Sequence, residues 1–345
     1  MSSRIPSIPW TSTSPMRFLP YQEAGSIPNI IVDGTANGGT VLTLSHWRRS
    51  GTPEELMADT SAEIVFNYLD SPRHHVKVDA VSNNHFDQDG FVGVFALIDS
   101  ERAMRHRDLL IDVAEAGDFG IYKDRTAARI VFAISTYSDP QKSPLPAHIF
   151  KLPYPQHAAE LYRDLLSRLG DMVTNLDRYS SLWQDEDAVL TESEGLLDSG
   201  VITIEERPEL DLAVIRIPEE RSSNEVHRFT QGLLAPCHPF AIHNRTRCSR
   251  LAYVQGKRVE FQYRYEGWVR MATYRPSLRV DLGSLAEELN LEETSGGKWK
   301  FDGADKITPR FYREGNTVST LSPDSVIERI ERHLRHGPPA WNPYD

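Results

Sequence analysis

The sequence contains few cysteines and no long apolar run. Cys237 and Cys248 are the only cysteines in 345 residues, too few for a disulfide framework, which indicates a reducing compartment. No stretch approaches the roughly 20 apolar residues that cross a bilayer, and the amino terminus lacks the continuous apolar segment of a secretory signal. We therefore expect a cytoplasmic protein that makes no membrane contact.

Excess positive charge is also lacking. The formal net charge is −11, which argues against a nonspecific binder of duplex DNA, because such proteins neutralise many phosphates with Lys and Arg. The sequence has no G-x-S-x-G elbow, no G-x-x-x-x-G-K-[ST] phosphate loop, no H-E-x-x-H helix and no C-x-x-C pair. The glycines at 34, 38 and 39 lack the spacing of a dinucleotide-binding loop.

The amino-terminal half alternates between strand and helix patterns. Short β-branched runs occupy residues 29–33 and 40–44, and Asp59-Thr60-Ser61 then caps a helix. A further strand is predicted over 76–82, and Gly90 opens an apolar helix. This alternation predicts an α/β fold with a mainly parallel sheet that helices cover on both faces.

The carboxyl-terminal half is richer in strands. Residues 156–185 have the 3.6-residue periodicity of a connecting helix, and strand patterns return after the turn near Gly200. The length also suggests about two domains. We therefore predict a flexible arm over 1–24, an α/β metal-binding domain with its connecting helix over 25–190, a smaller α+β domain over 191–335, and a tail over 336–345.

The most informative segment is His85-Phe86-Asp87-Gln88-Asp89-Gly90, which follows an apolar run. Alternating positions of an extended backbone lie on one side, so the segment presents one imidazole and two carboxylates together. Such donors suit Mn²⁺, Mg²⁺ or Zn²⁺. The alternative is a polar turn whose Asp residues cap the next helix.

Other candidate ligands end separate segments. Asp33 ends the first β-branched run, His46 follows the second, and Asp118 lies in a Gly-flanked break after a helix. Loops at the carboxyl ends of parallel strands converge. These segments could therefore complete one metal site with His85, Asp87 and Asp89.

These motifs resemble those of the DHH phosphoesterases, a family of pyrophosphatases, single-strand exonucleases, nanoRNases and cyclic-dinucleotide phosphodiesterases. The segment 85–90 is similar to the first family motif, 59–65 to the STAE-like helix start, and 116–120 to the segment with a late metal-ligating aspartate. Ser45-His46-Trp47 stands in the place of the namesake motif and retains only the middle His. The motif order also differs from that of the family, which implies a circularly permuted chain.

The carboxyl half adds a resemblance to the accessory domain of the same family. Residues 275–282 are similar to its SxR segment and VD(L/V) strand, and 295–298 to its Gly-rich GGGH turn, with Lys298 in place of His. The resemblance implies that this part binds substrate. The implied contacts are Arg275, Arg279, Gly296, Gly297 and Lys298.

Together the residues and the resemblance imply a metal-dependent phosphoesterase that acts on a small phosphorylated substrate, such as a nucleotide or a short oligonucleotide. Two metal ions can activate a shared water and clamp the phosphoryl oxygens. Mn²⁺ is favoured over Mg²⁺ and Zn²⁺. The expected ligands are His85, Asp87, Asp89, Asp118 and Asp33. His46 is expected to ligate or to act as an acid.

Two alternatives remain open. Ser45 and Trp47 replace family residues that include a bridging carboxylate, so the chain could be a noncatalytic phosphate- or nucleotide-binding protein, unless Asp33 supplies that carboxylate or a single metal is enough. It could also be a metal hydrolase that cleaves a nonphosphate bond. The oligomeric state stays open.

Overall fold

The computed structural model describes residues 16–224, 226, 227 and 236–345 of the chain. The fold is α/β, with a parallel four-stranded sheet, a mixed six-stranded sheet and a two-stranded ribbon. The elements of the first half are β1 (Arg17–Phe18), α1 (Tyr21–Ala24), β2 (Asn29–Val32), β3 (Thr40–Leu44), α2 (Ser61–Leu69), β4 (Ala80–Ser82), α3 (Gln88–Ile98), α4 (Ser100–Arg105), α5 (Arg107–Phe119), α6 (Arg125–Ser138), α7 (Tyr154–Thr174) and α8 (Gln184–Asp198).

The first sheet has the order β1-β4-β2-β3, and all its neighbouring strands are parallel. Every residue of β2 and β4 is buried, as expected for strands inside a parallel α/β sheet. Helices α2 and α3 pack against this sheet and against each other. The predicted parallel sheet is confirmed, although the strand expected over 76–82 is limited to Ala80–Ser82.

Two side-chain caps fix where the helices beside this sheet begin. The Thr60 hydroxyl accepts a hydrogen bond from the Glu63 N–H at 3.2 Å, and the Asp87 carboxylate accepts one from the Gly90 N–H at 2.9 Å. Such caps satisfy N–H groups that have no partner within the helix. In α3, a Cβ on Gly93 would lie 2.6 Å from Val32 Cγ1, so glycine allows this helix to approach the strand closely.

The second half forms the mixed sheet, in which β6 and β7 are parallel and the other neighbours are antiparallel. Its strand order is β10-β11-β8-β7-β6-β5, and β9 pairs with β12 in the ribbon. The elements are β5 (Thr203–Arg207), β6 (Leu212–Ile217), α9 (Pro239–His243), β7 (Arg250–Gln255), β8 (Arg258–Tyr263), β9 (Arg279–Val280), α10 (Gly283–Glu292), β10 (Trp299–Phe301), β11 (Arg310–Arg313), α11 (Pro323–His336) and β12 (Pro339–Trp341).

The mixed sheet joins the two halves of the chain. Along β6, Ala213 and Ile215 belong to the core of the amino-terminal half, whereas Leu212 and Val214 belong to a separate core beneath α10 and α11. This alternation follows from the two-residue period of a strand with both faces buried. Position 190 lies inside α8, and the first core continues beyond it, so the two-domain division stays a prediction.

Both predicted chain ends differ from the structure. Residues 1–15 of the predicted flexible arm lie outside the described residues, but Met16 is buried and β1 pairs with β4. In the predicted tail, β12 pairs with β9, and Trp341 stacks on Trp268 with ring centroids 5.8 Å apart. Aromatic and strand contacts therefore order both segments where the structure describes them. Among the described helices, none combines the length and apolar character needed to cross a membrane.

A buried ionic cluster lies on α8. Glu186 accepts a hydrogen bond from the His227 N–H at 3.0 Å, its carboxylate contacts the His227 ring, and His238 Nε2 lies 3.4 Å from its other oxygen. Burial alone would raise the pKa of Glu186, but the bonds from His227 and His238 outweigh burial and lower it to about 2. The Glu186 carboxylate in turn raises the pKa of His227 against the opposing effect of burial.

We predict that Glu186→Gln destabilises the protein most near pH 5.5. The depressed pKa of Glu186 contributes stability that is present above about pH 4.3 and is lost as the pH falls towards 2. The raised pKa of His227 contributes stability that is present below about pH 6.5 and is lost as the pH rises above the folded-state pKa of His227. We expect a loss of about 1 to 3 kcal/mol at pH 5.5 and a smaller one at pH 9, measured by urea unfolding. Glu192→Gln, which breaks an exposed pair with Arg221, is the control. An equal loss at both pH values would contradict the prediction.

Candidate metal centre

Asp33 occupies the centre of the candidate site. It directly follows β2, is fully buried, and has a φ of 47°, in the left-handed region that residues other than glycine seldom adopt. Its N–H donates to the Leu44 carbonyl at 3.0 Å, and its Oδ1 accepts from the Ser61 hydroxyl at 2.8 Å. Backbone strain of this kind costs of order 1 to 3 kcal/mol and concentrates at functional sites.

The first group of donors surrounds His46. Asp33, His46 and Asp89 place one ligand atom each within 4.8 Å of one another, and all three residues are buried. His46 Nε2 lies 3.5 Å from Asp33 Oδ1, 3.8 Å from Asp89 Oδ2 and 3.6 Å from Asp118 Oδ2. Carboxylates from β2, α3 and α5 therefore converge on one imidazole nitrogen.

In its tautomer His46 presents a lone pair beside the carboxylate oxygens, so this group consists of hydrogen-bond acceptors. Burial lowers the pKa of His46, although Asp33 opposes the effect, so the ring is neutral near pH 7. Nδ1–H donates to the Asp59 carbonyl at 2.6 Å, which leaves Nε2 with a lone pair among carboxylate oxygens. A neutral imidazole whose other N–H is fixed by a carbonyl is the usual form of a histidine that binds metal. The donor set thus fits a cation.

Asp89 lies in the first turn of α3 and faces the amino terminus of α2. Its two oxygens accept from the Ser61 and Ala62 N–H groups, both at 2.7 Å. These bonds and the helix dipole favour the carboxylate. Burial and the nearby Asp33 and Asp87 nevertheless raise the pKa of Asp89 well above its usual value. A bound cation would compensate the crowded negative charge.

The second group of donors consists of Asp33, His85 and Asp87. His85 Nε2 lies 3.2 Å from Asp33 Oδ2 and 3.0 Å from Asp87 Oδ2. Asp87 Oδ1 meanwhile caps α3, so the interpretation of Asp87 as a helix cap is confirmed, while its role as a ligand through Oδ2 stays a prediction. The expectation that His85, Asp87 and Asp89 share one side of an extended backbone is wrong, because α3 begins at Gln88 and turns Asp89 towards His46.

His85 carries a proton in the metal-free protein. Burial disfavours its charged form, but Asp87 and Asp33 outweigh burial and raise its pKa to about 12. The protonated imidazole then lies between two carboxylates. A metal ion that binds Nε2 must displace this proton, because only the neutral ring can act as a ligand.

We predict that metal uptake strengthens with pH. The apparent association constant for Mn²⁺ should rise about tenfold per pH unit between about pH 6 and 8, because one proton leaves His85 on binding. Calorimetric titration in buffers of different ionisation enthalpy measures both the affinity and the proton release. In His85→Ala the slope should fall by about one proton. A wild-type affinity that does not change with pH would contradict the prediction.

The two donor groups share Asp33. Its Oδ1 faces His46 and its Oδ2 faces His85, which is the placement of a carboxylate that bridges two cations. The resemblance to the DHH phosphoesterases left open whether Asp33 could supply the bridging carboxylate that Ser45 lacks. Ser45 instead shapes the turn after β3, where its hydroxyl accepts from the Trp47 N–H at 3.2 Å.

The expected substrate-binding residues of the carboxyl half contact other parts of that half. The Arg275 guanidinium lies 4.7 Å from the ring centroid of Tyr344, and the carbonyls of Gly296 and Gly297 accept from Arg313. The Lys298 carbonyl accepts from the Glu314 N–H at 2.9 Å. The proposed contacts of Arg275, Gly296, Gly297 and Lys298 with substrate therefore stay predictions.

The expected role of Arg279 requires a correction. Its side chain is fully buried, and its guanidinium donates to carbonyl oxygens of four residues, so it stabilises the loops around β9. These acceptors are Arg264, Ala304, Lys306 and Ile307. Burial also lowers the pKa of Arg279 to about 9. A buried guanidinium satisfied by carbonyls is not placed to bind a substrate phosphate.

The sequence assigned no role at the metal centre to three residues that contact its candidate ligands. The Ser61 hydroxyl binds Asp33, Asp59 holds His46 through its carbonyl, and the Tyr265 hydroxyl lies 3.4 Å from His46 Nε2. Asp59 and Ser61 were recognised as part of a helix cap, a pattern that also marks anion-binding helix termini. No local motif distinguishes Tyr265, which is more than 200 positions from His46 in sequence.

Comparison with known proteins adds a family but no activity. No curated protein and no solved structure matches the chain. A family model does match residues 14–345, and its description is a family of unknown function, DUF6687. The matched residues include the candidate metal ligands and the mixed sheet. The chain therefore belongs to the DUF6687 family.

Proposed function

We propose that the protein is a metal-dependent phosphoesterase with two metal positions. The observation that supports this most strongly is the pair of donor groups that share Asp33, one completed by His46 and Asp89 and the other by His85 and Asp87. Both groups combine imidazole with carboxylate oxygens, a mixture that suits Mn²⁺ and is also compatible with Mg²⁺ or Zn²⁺. The arrangement supports the resemblance to DHH phosphoesterases.

The chemistry of such a site depends on metals that are held by these side chains. Bound divalent ions lower the pKa of a shared water and neutralise the charge of a phosphoryl group. The protein's own residues set the geometry. Asp59 orients His46, Ser61 orients Asp33, and α2 holds Asp89 through two N–H groups. Each ligand thus keeps its position before a substrate arrives, as a preorganised site requires.

A cavity beside Asp87 supports a small substrate. It has a volume of about 300 Å³, at the lower end of the range for small-molecule sites. Six of its seven lining residues are polar or charged types; the lining comprises Phe86, Asp87, Gln88, Ser135, Ser138, Asp139 and His227. Hydroxyl, amide and carboxylate groups of this kind suit the uncharged polar part of a substrate, such as a ribose or a base, whose phosphate lies at the metals.

Catalysis by cysteine is a weaker explanation of the site. Cys237 and Cys248 are both buried and free, and burial raises the pKa of Cys237 to about 12. A thiol in that state is a poor nucleophile at neutral pH. Free buried thiols are also in keeping with the proposed cytoplasmic location.

The test combines metal analysis with a substrate panel. Purified protein is loaded with Mn²⁺, Mg²⁺ or Zn²⁺ and assayed on pyrophosphate, mononucleotides, linear and cyclic dinucleotides, short oligonucleotides, and carboxylic esters as the nonphosphate control. We expect near-stoichiometric metal and release of phosphate or a nucleotide. Metal binding with affinity for a nucleotide but no turnover would favour the noncatalytic binding protein, and ester cleavage alone would favour the other hydrolase. Protein that takes up no metal would overturn the proposal.

A further inference from the structure

Tyr265 belongs to the carboxyl half of the chain and reaches the candidate metal centre. It follows β8 in a short 3-10 turn, Tyr265–Gly267, and its side chain is largely buried. Its ring meets the His46 ring edge-on, with centroids 5.7 Å apart, and its Oη lies 3.4 Å from His46 Nε2. The hydroxyl therefore faces the nitrogen on which Asp33, Asp89 and Asp118 converge.

Trp47 determines where the hydroxyl proton of Tyr265 points. The indole Nε1–H donates to Tyr265 Oη at 3.0 Å, and an indole nitrogen can only donate. Tyr265 Oη therefore accepts from Trp47 and directs its own proton elsewhere. One acceptor that the metal-free site offers it is His46 Nε2. A cation held by Nε2 would occupy this lone pair, and the hydroxyl could then donate to an oxygen atom of a substrate at the centre.

We infer that Tyr265 is a catalytic residue that donates a hydrogen bond to a phosphoryl oxygen at the metal centre, with Trp47 as its positioning residue. The inference rests on the proposed function. No bond is made or broken by Tyr265, which stays a neutral donor.

The contacts of Trp47 show why an aromatic residue suits that position. Its ring stacks on His85 with centroids 5.4 Å apart, and it meets Trp268 edge-on at the same separation. Trp47 thus packs against a ligand of one donor group and orients a donor near the other. Replacing it with a smaller aromatic residue would preserve some packing but remove the N–H that orients Tyr265.

The test uses the full chain loaded with Co²⁺, and inorganic phosphate as the probe. In Tyr265→Phe we expect the cobalt stoichiometry to be unchanged and the affinity for phosphate, measured by calorimetry, to be about tenfold weaker. The kcat on the best substrate of the panel should be about 100-fold lower, since removal of one donor to a developing oxyanion has effects of that order. Trp47→Phe should show smaller losses, and the double variant should resemble Tyr265→Phe, because Trp47 acts through the same hydroxyl. Tyr312→Phe, on β11, removes a phenol hydroxyl elsewhere and should change neither value.

Each outcome decides between the two proposals. Wild-type protein that binds neither cobalt nor Mn²⁺, Mg²⁺ or Zn²⁺ overturns the proposed function and this inference with it. Wild-type protein that binds cobalt but no phosphate, or Tyr265→Phe with wild-type phosphate affinity and kcat, overturns the inference alone. If Tyr265→Phe fails to fold, Trp47→Phe decides: cobalt retained with weaker phosphate binding supports the inference, and wild-type phosphate binding overturns it.

Discussion

Asp33→Asn is expected to abolish metal binding at both positions and to lower turnover by at least about 10³-fold. The substitution keeps the size of the side chain and the oxygen that accepts from Ser61, but it removes the negative charge that both donor groups share. The metals contribute several kcal/mol of transition-state stabilisation, and each 1.36 kcal/mol corresponds to a factor of ten in rate. Metal content by elemental analysis and kcat on the best substrate provide the measurement.

The control for this variant is Asp79→Asn. Asp79 is exposed and directly precedes β4, so the chemical change is identical but lies at the opposite end of the strand from His85. Metal content and kcat should be those of the wild type. The melting temperature checks metal binding independently of turnover: metal should raise it in the wild type but not in Asp33→Asn. Full metal content in Asp33→Asn would refute the bridging role.

The ligand set follows from the sequence because its members end neighbouring strands. Asp33 and His46 follow β2 and β3, and His85 follows β4. These strands are adjacent and parallel in the sheet, so their carboxyl ends must lie together. Short apolar runs, each followed by a candidate ligand, are therefore enough to predict that these three donors converge.

What the sequence could not predict is set by contacts between distant segments. Asp89 faces His46 rather than His85 because α3 begins at Gln88, two residues before the predicted start at Gly90, and helix boundaries are the least certain part of a pattern. Tyr265 reaches the site through the packing of the second half on the first. Arg279 occurs in a motif that suggests phosphate binding, yet its neighbourhood in the fold consists of carbonyl oxygens. A short motif specifies a chemical group but not its surroundings.

Asp89 combines two roles, which a stability measurement on a variant without metal can separate. One is the proposed role of a metal ligand, and the other is to accept hydrogen bonds from the N–H groups of Ser61 and Ala62 at the start of α2. Both of those residues are buried. Water therefore has little access to the two donors if the carboxylate is removed, and a buried donor without an acceptor carries the full penalty of its desolvation.

We predict that Asp89→Ala destabilises even the metal-free protein, by about 2 to 6 kcal/mol. The estimate takes about 1 to 3 kcal/mol for each orphaned N–H group, and it is a large part of the 5 to 15 kcal/mol by which proteins of ordinary stability are folded. Relief of charge crowding offsets part of the loss, because the raised pKa of Asp89 shows that its charge is costly beside Asp33. Urea unfolding in a chelating buffer measures the difference.

Asp87→Ala is the matched comparison, since it removes a carboxylate from the other donor group. Its loss leaves the Gly90 N–H at the start of α3 without its cap, which costs about 1 kcal/mol, and removes one of the two carboxylates that pair with His85. Both variants should lose metal, but only Asp89→Ala should lose most of its stability without metal. Equal stability of the two metal-free variants would mean that α2 does not depend on Asp89, and the carboxylate would then be held in place chiefly by the cation it binds.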